Sequence, residues 1–501
     1  MINPIRQLAG QTAVYGLPTI LGRFLQYLLV ILLTRVFTRA EYGTISVFYS
    51  YASFLMVVLT YGMETAFFRF SEHEKDKERV FSTGMLSLLL SSAGFIFLAS
   101  AFSAPLASAM DYPGCGEYVI WFAWILGLDA MSAIPFARLR SERKPVRFAL
   151  IKFTNIFLNI GLTLFFIILC PYLDRNFHAS SWNRALHFIY RSDWGIEYVF
   201  IANLVASLFT FLQLSPMMLK MRWKLHPELW RKMLLYALPL LFAGLAGMIN
   251  ETFDRLLLRY LLPMTREMTE VQVGVYSACY KISILITIFV QAYKFAAEPF
   301  FFSYAREKDS KQVYARIMNY FIIIIGLVFL VTMLFLDDIF IRLIGPKFRE
   351  GKGVIPVLMM ANIFLGVYYN LSIWYKLTGK TIWGAWLSFI GAIITLALNF
   401  WWIPLGPDHL FHGYIGSAWA TFICYGTMMI LAYILGQKYY PIPYNLKKFF
   451  GYLIFTFLIY WISTMVHLTH LLPRTAFNAG LLTLYCATAY YIEKQRLSKA
   501  S

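Results

Sequence analysis

Apolar runs of about 20 residues follow one another along the whole chain, and each is long enough as a helix to cross a hydrocarbon layer roughly 30 Å thick. Buried helices of a water-soluble protein seldom keep that length so many times. The spans expected are 12–36, 43–61, 80–102, 118–137, 148–169, 198–218 and 233–256, then 274–296, 314–336, 354–375, 381–403, 414–435, 449–467 and 471–492. Composition agrees: 59% of the 501 residues are hydrophobic and 14% are charged, against about 25% charged in a soluble domain. The fold class expected is therefore an all-α integral membrane protein of about 14 transmembrane helices.

A net charge of +18 invites thoughts of nucleic acid until the basic residues are located, and most lie in short connections between spans. With the N-terminus inside, cytoplasmic segments hold about 27 Lys and Arg and the opposite side about 13. Arg138, Arg140, Arg143, Lys144 and Arg147 form one inside loop, and Lys220, Arg222, Lys224, Arg231 and Lys232 another. One loop runs the other way, with Arg342, Lys347, Arg349 and Lys352 outside. Both termini are expected on the cytoplasmic side, and the first apolar stretch, too long for a signal-peptide core, is expected as a retained helix. Cys115, Cys170, Cys279, Cys424 and Cys486 show no metal-ligand or disulfide spacing, so no metal site and no cofactor are expected.

The longest connection, 171–197, is too short for a core of its own, which places the function inside the bundle. Two short matches suggest an internal repeat. Tyr15, Gly16, Leu17 and Pro18 align with Tyr236, Ala237, Leu238 and Pro239, and the segment from Gly43 to Ser46 aligns with that from Gly274 to Ser277. Both copies start on the same side, as in parallel repeats related by an axis along the membrane normal. The domains expected are an N-terminal lobe, 1–220, a C-terminal lobe, 221–436, and two additional helices, 437–501.

A charged side chain at the bilayer centre costs at least about 2.5 kcal/mol, so charges within spans need a partner or a wet cavity. In the first span Arg23 shares a helical stripe with Tyr15, Thr19, Gln26 and Tyr27; the second carries Ser46, Tyr49, Ser50 and Ser53. The seventh holds Asn250, Glu251, Asp254 and Arg255, and the eighth Lys281, Gln291, Lys294 and Glu298. Asp254 and Lys281 fall at similar depth and are candidates for a pair, as are Lys294 and Glu298 four residues apart. Structural pairing and snorkelling to the interface are one reading of these charges. The other is a cationic cavity for a multiply charged anion such as a phosphate ester, because Arg offers a planar fork to phosphate oxygens and Lys a mobile point charge. Tyr276, Tyr280, Tyr368 and Tyr369 are packing or interfacial residues, with a few aromatic faces left for sugars. No nucleotide loop, zinc-protease pattern or nucleophile elbow stands out, and the chain is not expected to be an enzyme.

The segment 33–43 with Arg39, Glu41, Tyr42 and Gly43, the segment 273–281, Asn399 followed by Ile403 and Pro404, and the segment 413–421 together resemble the polysaccharide transporter family. That family lies within the multidrug, oligosaccharidyl-lipid and polysaccharide exporter superfamily. The resemblance covers 8–436 and implies two six-helix lobes around a central V-shaped cavity, plus two extra C-terminal helices. It implies a flippase of the bacterial inner membrane that carries undecaprenyl-diphosphate-linked oligosaccharide to the periplasmic leaflet by alternating access, for O-antigen, capsule or exopolysaccharide assembly. The partners implied are that lipid-linked glycan, membrane lipids, and a polymerase or glycosyltransferases of the same pathway, with no nucleic acid. Related lipid II flippases hold the diphosphate on arginines of the first, second and eighth helices. Arg23 matches the first of these and Lys281 or Lys294 the last, with Arg255 a further cation; the second span has no basic residue. Glu251, Asp254 and Glu298 are candidates for coupling-ion sites. A cation-coupled multidrug antiporter of the same superfamily and a membrane-embedded polysaccharide polymerase or ligase are the alternatives.

Overall fold

The computed structural model describes residues 21–22, 24–25, 27–74, 76–176, 189–466 and 470–500, and every regular element among them is helical. The spans are α1 (Tyr27–Val36), α2 (Arg39–Glu72), α3 (Lys77–Ala101), α4 (Gly116–Ser141), α5 (Pro145–Asn176), α6 (Glu197–Leu219) and α7 (Pro227–Leu261). They continue with α8 (Arg266–Tyr304), α9 (Ser310–Leu334), α10 (Pro346–Leu377), α11 (Ile382–Trp402), α12 (Gly413–Tyr439), α13 (Leu446–Met465) and α14 (Leu471–Ala500). Twelve of these, α2 to α13, are long and apolar enough to cross a membrane. They coincide in order with the second to thirteenth spans expected. The first expected span is described only from its later part, and the last falls on α14.

Helix starts explain part of the family-like sequence. Thr38 caps α2 in a reciprocal box with Glu41: Glu41 N–H donates to Thr38 Oγ1 (3.3 Å) and Thr38 N–H to Glu41 Oε2 (2.7 Å). A Cβ on Gly43 would stand 2.0 Å from the Glu270 carbonyl oxygen, so only glycine admits this approach. Within α2 the helix breaks at Tyr61 and Gly62, both left-handed (φ 32° and 72°), and the bare Gly62 backbone lies against Ala237 and Leu240 of α7.

The chain forms two compact units. Among the described residues, the first takes the chain as far as Arg259 together with Arg266–Val271. The second takes Tyr260–Thr265 and the chain from Gln272 onward. The expected boundary at 220/221 falls ahead of α7, whose Met233 and Ala237 join a core with Met63, Phe67, Phe81, Met131 and Leu214 of the first unit. At that end of the first unit, Arg138 pairs with Glu78 (2.9 Å) and Glu142 (2.6 Å), Arg140 with Glu64, and Arg222 with Asp76 (3.5 Å). The connections after α2, α4 and α6 therefore share one end, and it is the end rich in Lys and Arg. At the other end Phe48, Tyr112, Tyr118, Phe122 and Phe200 cluster, and Arg259 meets Asp111 (2.7 Å).

In the second unit α12 packs on α10 and α11, as α6 packs on α4 and α5 in the first. The joint between α11 and α12 is polar: buried Asn399 accepts from Ser417 Oγ (2.6 Å) and donates to the Thr395 carbonyl (2.7 Å). Helices α13 and α14 pack on α9, where Gly326 leaves room for Tyr485 and Thr456.

Candidate functional site

Arg23, Tyr15, Thr19 and Gln26 lie outside the described residues. In α2 the hydroxyls of Ser46, Ser50 and Ser53 each donate to a carbonyl one turn back, on Tyr42, Ser46 and Tyr49 (2.8–2.9 Å). This is the usual way a helix in lipid satisfies a serine. Tyr49 does more. Its hydroxyl accepts from Asn203 Nδ2 of α6 (3.0 Å), whose Oδ1 accepts in turn from Asn159 Nδ2 of α5 (3.4 Å). One turn further, Asn155 donates to Thr210 (2.9 Å). Asp129, at the middle of α4, lies near Ser207 of α6, and Lys152 of α5 stands near enough for its charge to act on that carboxylate. The Lys152 ammonium also rests over the Phe136 ring, 4.3 Å from its centroid.

Helices α2, α4, α5 and α6 thus share a seam of amides, hydroxyls and one acid–base couple. Asp129 and Lys152 were not among the residues expected from the sequence. Each is nonetheless the only charged residue in its expected span, and the cost of a mid-membrane charge is the signal that would have found them.

On α7, Asn250, Asp254 and Arg255 are buried and Glu251 is exposed. Arg255 Nη1 donates to Asp254 Oδ1 (2.9 Å) and to the Glu251 carbonyl (3.1 Å), so acid and base enter the unit as a neutral couple.

Helix α8 is unbroken and belongs to the second unit from Gln272 onward, where Ser283, Thr287, Gln291, Lys294 and Glu298 recur on it at spacings of three and four. Contacts show which way that stripe faces. Ser283 accepts from Asn362 (3.2 Å), the Lys294 ammonium lies 4.8 Å from the Tyr369 ring centroid, and Glu298 pairs with Lys376, all on α10. Tyr293 beside the stripe accepts from Asn370. Glu298, a candidate partner for Lys294 from spacing, is thereby engaged between helices. Lys281 is half-buried and lies about 140° round the helix from Lys294, so the two lysines present different faces.

Each unit therefore carries ionised groups and amides on helix faces that lipid alone would make costly. Among the described residues no group of three His, Cys, Asp or Glu is placed to hold a metal ion.

Residues 8–112 match the sequence model of the family described as polysaccharide biosynthesis protein. No protein of curated function matches the sequence at a significant level. In structure the chain is similar to the lipid II flippase MurJ in an inward closed conformation, with a TM-score of 0.67 at 14% identity over 95% of this chain and 98% of that one. It is also similar to an inward-facing multidrug resistance MATE family transporter of the MOP superfamily, with a TM-score of 0.59 at 15% identity over 87% of this chain and 95% of that one. A third likeness is to a MOP superfamily transporter from Pyrococcus furiosus, described as having a binding pocket of reversed polarity, with a TM-score of 0.58 at 14% identity over 86% and 95%. The fold is that of the MOP superfamily transporters and flippases, in a multi-pass helical membrane protein.

Proposed function

We propose that the chain is a flippase of the bacterial inner membrane that moves an undecaprenyl-diphosphate-linked oligosaccharide from the cytoplasmic to the periplasmic leaflet by alternating access. The observation that carries this is the coincidence, in one chain, of a polysaccharide-biosynthesis match over 8–112 with a lipid flippase's fold over 95% of its length. Arg23 and Lys294 are the cations within spans that would serve a diphosphate, since Arg255 is neutralised by Asp254 and Lys281 faces away from Lys294; Tyr369 and Tyr293 add aromatic faces and hydroxyls for sugars.

Only the polar head has to avoid hydrocarbon, because the polyprenyl tail is at home in lipid throughout. With the cytoplasm negative, each negative charge carried outward gains about 2.3 kcal/mol per 100 mV, which favours the loaded step. Glu251, Asp254 and Glu298 are the acids expected for a coupling cation, and Asp254 and Glu298 would have to be released from Arg255 and Lys376 to bind one; Asp129 is a further acid within a span.

The test is export of a lipid-linked glycan in cells lacking their own flippase. Arg23→Ala should abolish export while membrane levels of the protein stay normal. Full export by that variant removes Arg23 from the mechanism, and no export by the unaltered chain removes the function.

A second reading, a cation-coupled multidrug antiporter, is favoured by the MATE likeness and by Asp129 in the first unit. It predicts sodium- or proton-driven efflux of organic cations from proteoliposomes, which the flippase reading does not.

A further inference from the structure

The ends of α9, α10, α13 and α14 enclose a cavity of about 560 Å³ that plays no part in the proposed transport site. Where α9 ends, residues Leu336–Phe340 wind as a π-turn, a rare form often found at functional sites, and it presents two consecutive acids. They are held differently. Asp338 is nearly inaccessible and is bound by Arg474 of α14, whose Nε lies 3.2 Å from Oδ2. Asp337 and Lys352 pair at 2.9 Å while each stays about half exposed (51% and 54%). A pair so exposed is worth little and exchanges readily with a ligand or with water.

Two features say what ligand fits. The first is charge. Two acids and two bases line the cavity, so a bare anion drawn to Lys352 and Arg474 would leave Asp337 unpaired beside it. A solute bearing both a phosphate and an ammonium satisfies both halves of the loose pair at once. The second is the surface beside it in sequence: Ile339, Trp461, Met465 and Leu472, each within two residues of a lining residue, are exposed and apolar. A polar cavity flanked in sequence by such residues suits a headgroup whose acyl chains continue along the helices.

We propose that this cavity binds the headgroup of a zwitterionic phospholipid carrying a primary amine, with Arg474 and Lys352 on the phosphate and Asp337 on the ammonium. Binding would also give a use to the basic loop of Arg342, Lys347, Arg349 and Lys352, which runs against the expected orientation rule.

The experiment is native mass spectrometry of the full chain, delipidated and titrated with phosphatidylethanolamine, phosphatidylcholine or phosphatidylglycerol. Phosphatidylethanolamine should be retained preferentially, and the double variant Asp337→Asn with Lys352→Gln should weaken its retention about tenfold. The exchange of charges, Asp337→Lys with Lys352→Asp, keeps one acid and one base and should restore most of it. Thermal unfolding of each variant establishes that it is folded. Equal retention of phosphatidylglycerol, equal retention of phosphatidylcholine, or unchanged retention by the folded double variant overturns the proposal.

Discussion

Asn399 and Gly43 show how residues that give the chain its family resemblance work as joints. Asn399 bonds Ser417 across two helices from a fully buried position. Asn399→Ala leaves that hydroxyl and the space around it unfilled, and should cost about 1–3 kcal/mol. The readout is a lower unfolding temperature in detergent; an unchanged temperature would show the bond to be dispensable. Gly43 is more demanding, because backbone and not a flexible side chain occupies the place of its missing Cβ. A sequence reader sees both residues as small motif positions. Their purpose follows only from the neighbours, Glu270 in one case and Ser417 in the other, which are far away along the chain or on another helix.

Helices were legible almost throughout, because length and apolarity are local properties and the cost of crossing lipid depends on little else. Which helix faces which was not. Stripes on α2 and α8 were visible at helical spacing, yet the partners of the α8 stripe lie on α10, and the ladder through Tyr49, Asn203 and Asn159 joins three helices at once. The terminal helices illustrate the same point. Gly326 of α9 has the Tyr485 hydroxyl 2.6 Å and Thr456 Oγ1 2.7 Å from where a Cβ would stand. Tyr485 also donates to the Ile323 carbonyl (3.0 Å) and Asn478 to that of Leu334 (2.6 Å). Gly326→Val should therefore separate α13 and α14 from α9 and raise the protease sensitivity of the segment after 440 by about tenfold, with the rest of the chain protected. Uniform protection along the chain would show that α9 tolerates the extra volume.

For the molecule as a whole, alternation is the testable property. The connections after α2, α4 and α6 meet at one end of the first unit and carry its basic residues, and the positive-inside rule makes that end the one expected on the cytoplasmic side. Alkaline phosphatase fused after Arg143 or Lys224 should then be inactive, and fused after Pro113 or Gly406 active. The opposite pattern would invert the orientation and with it the direction of export proposed.

By itself the sequence determined the solvent, the number and order of most of the helices, and the cost attached to each buried charge, since all three are sums over neighbouring residues. Tertiary structure alone decided the partners. Arg255 with Asp254, Glu298 with Lys376 and Asp338 with Arg474 are choices among many charges at similar depth. Such a choice depends on helix rotation and contact, and rotation is fixed by packing across the bundle rather than by the residues on either side.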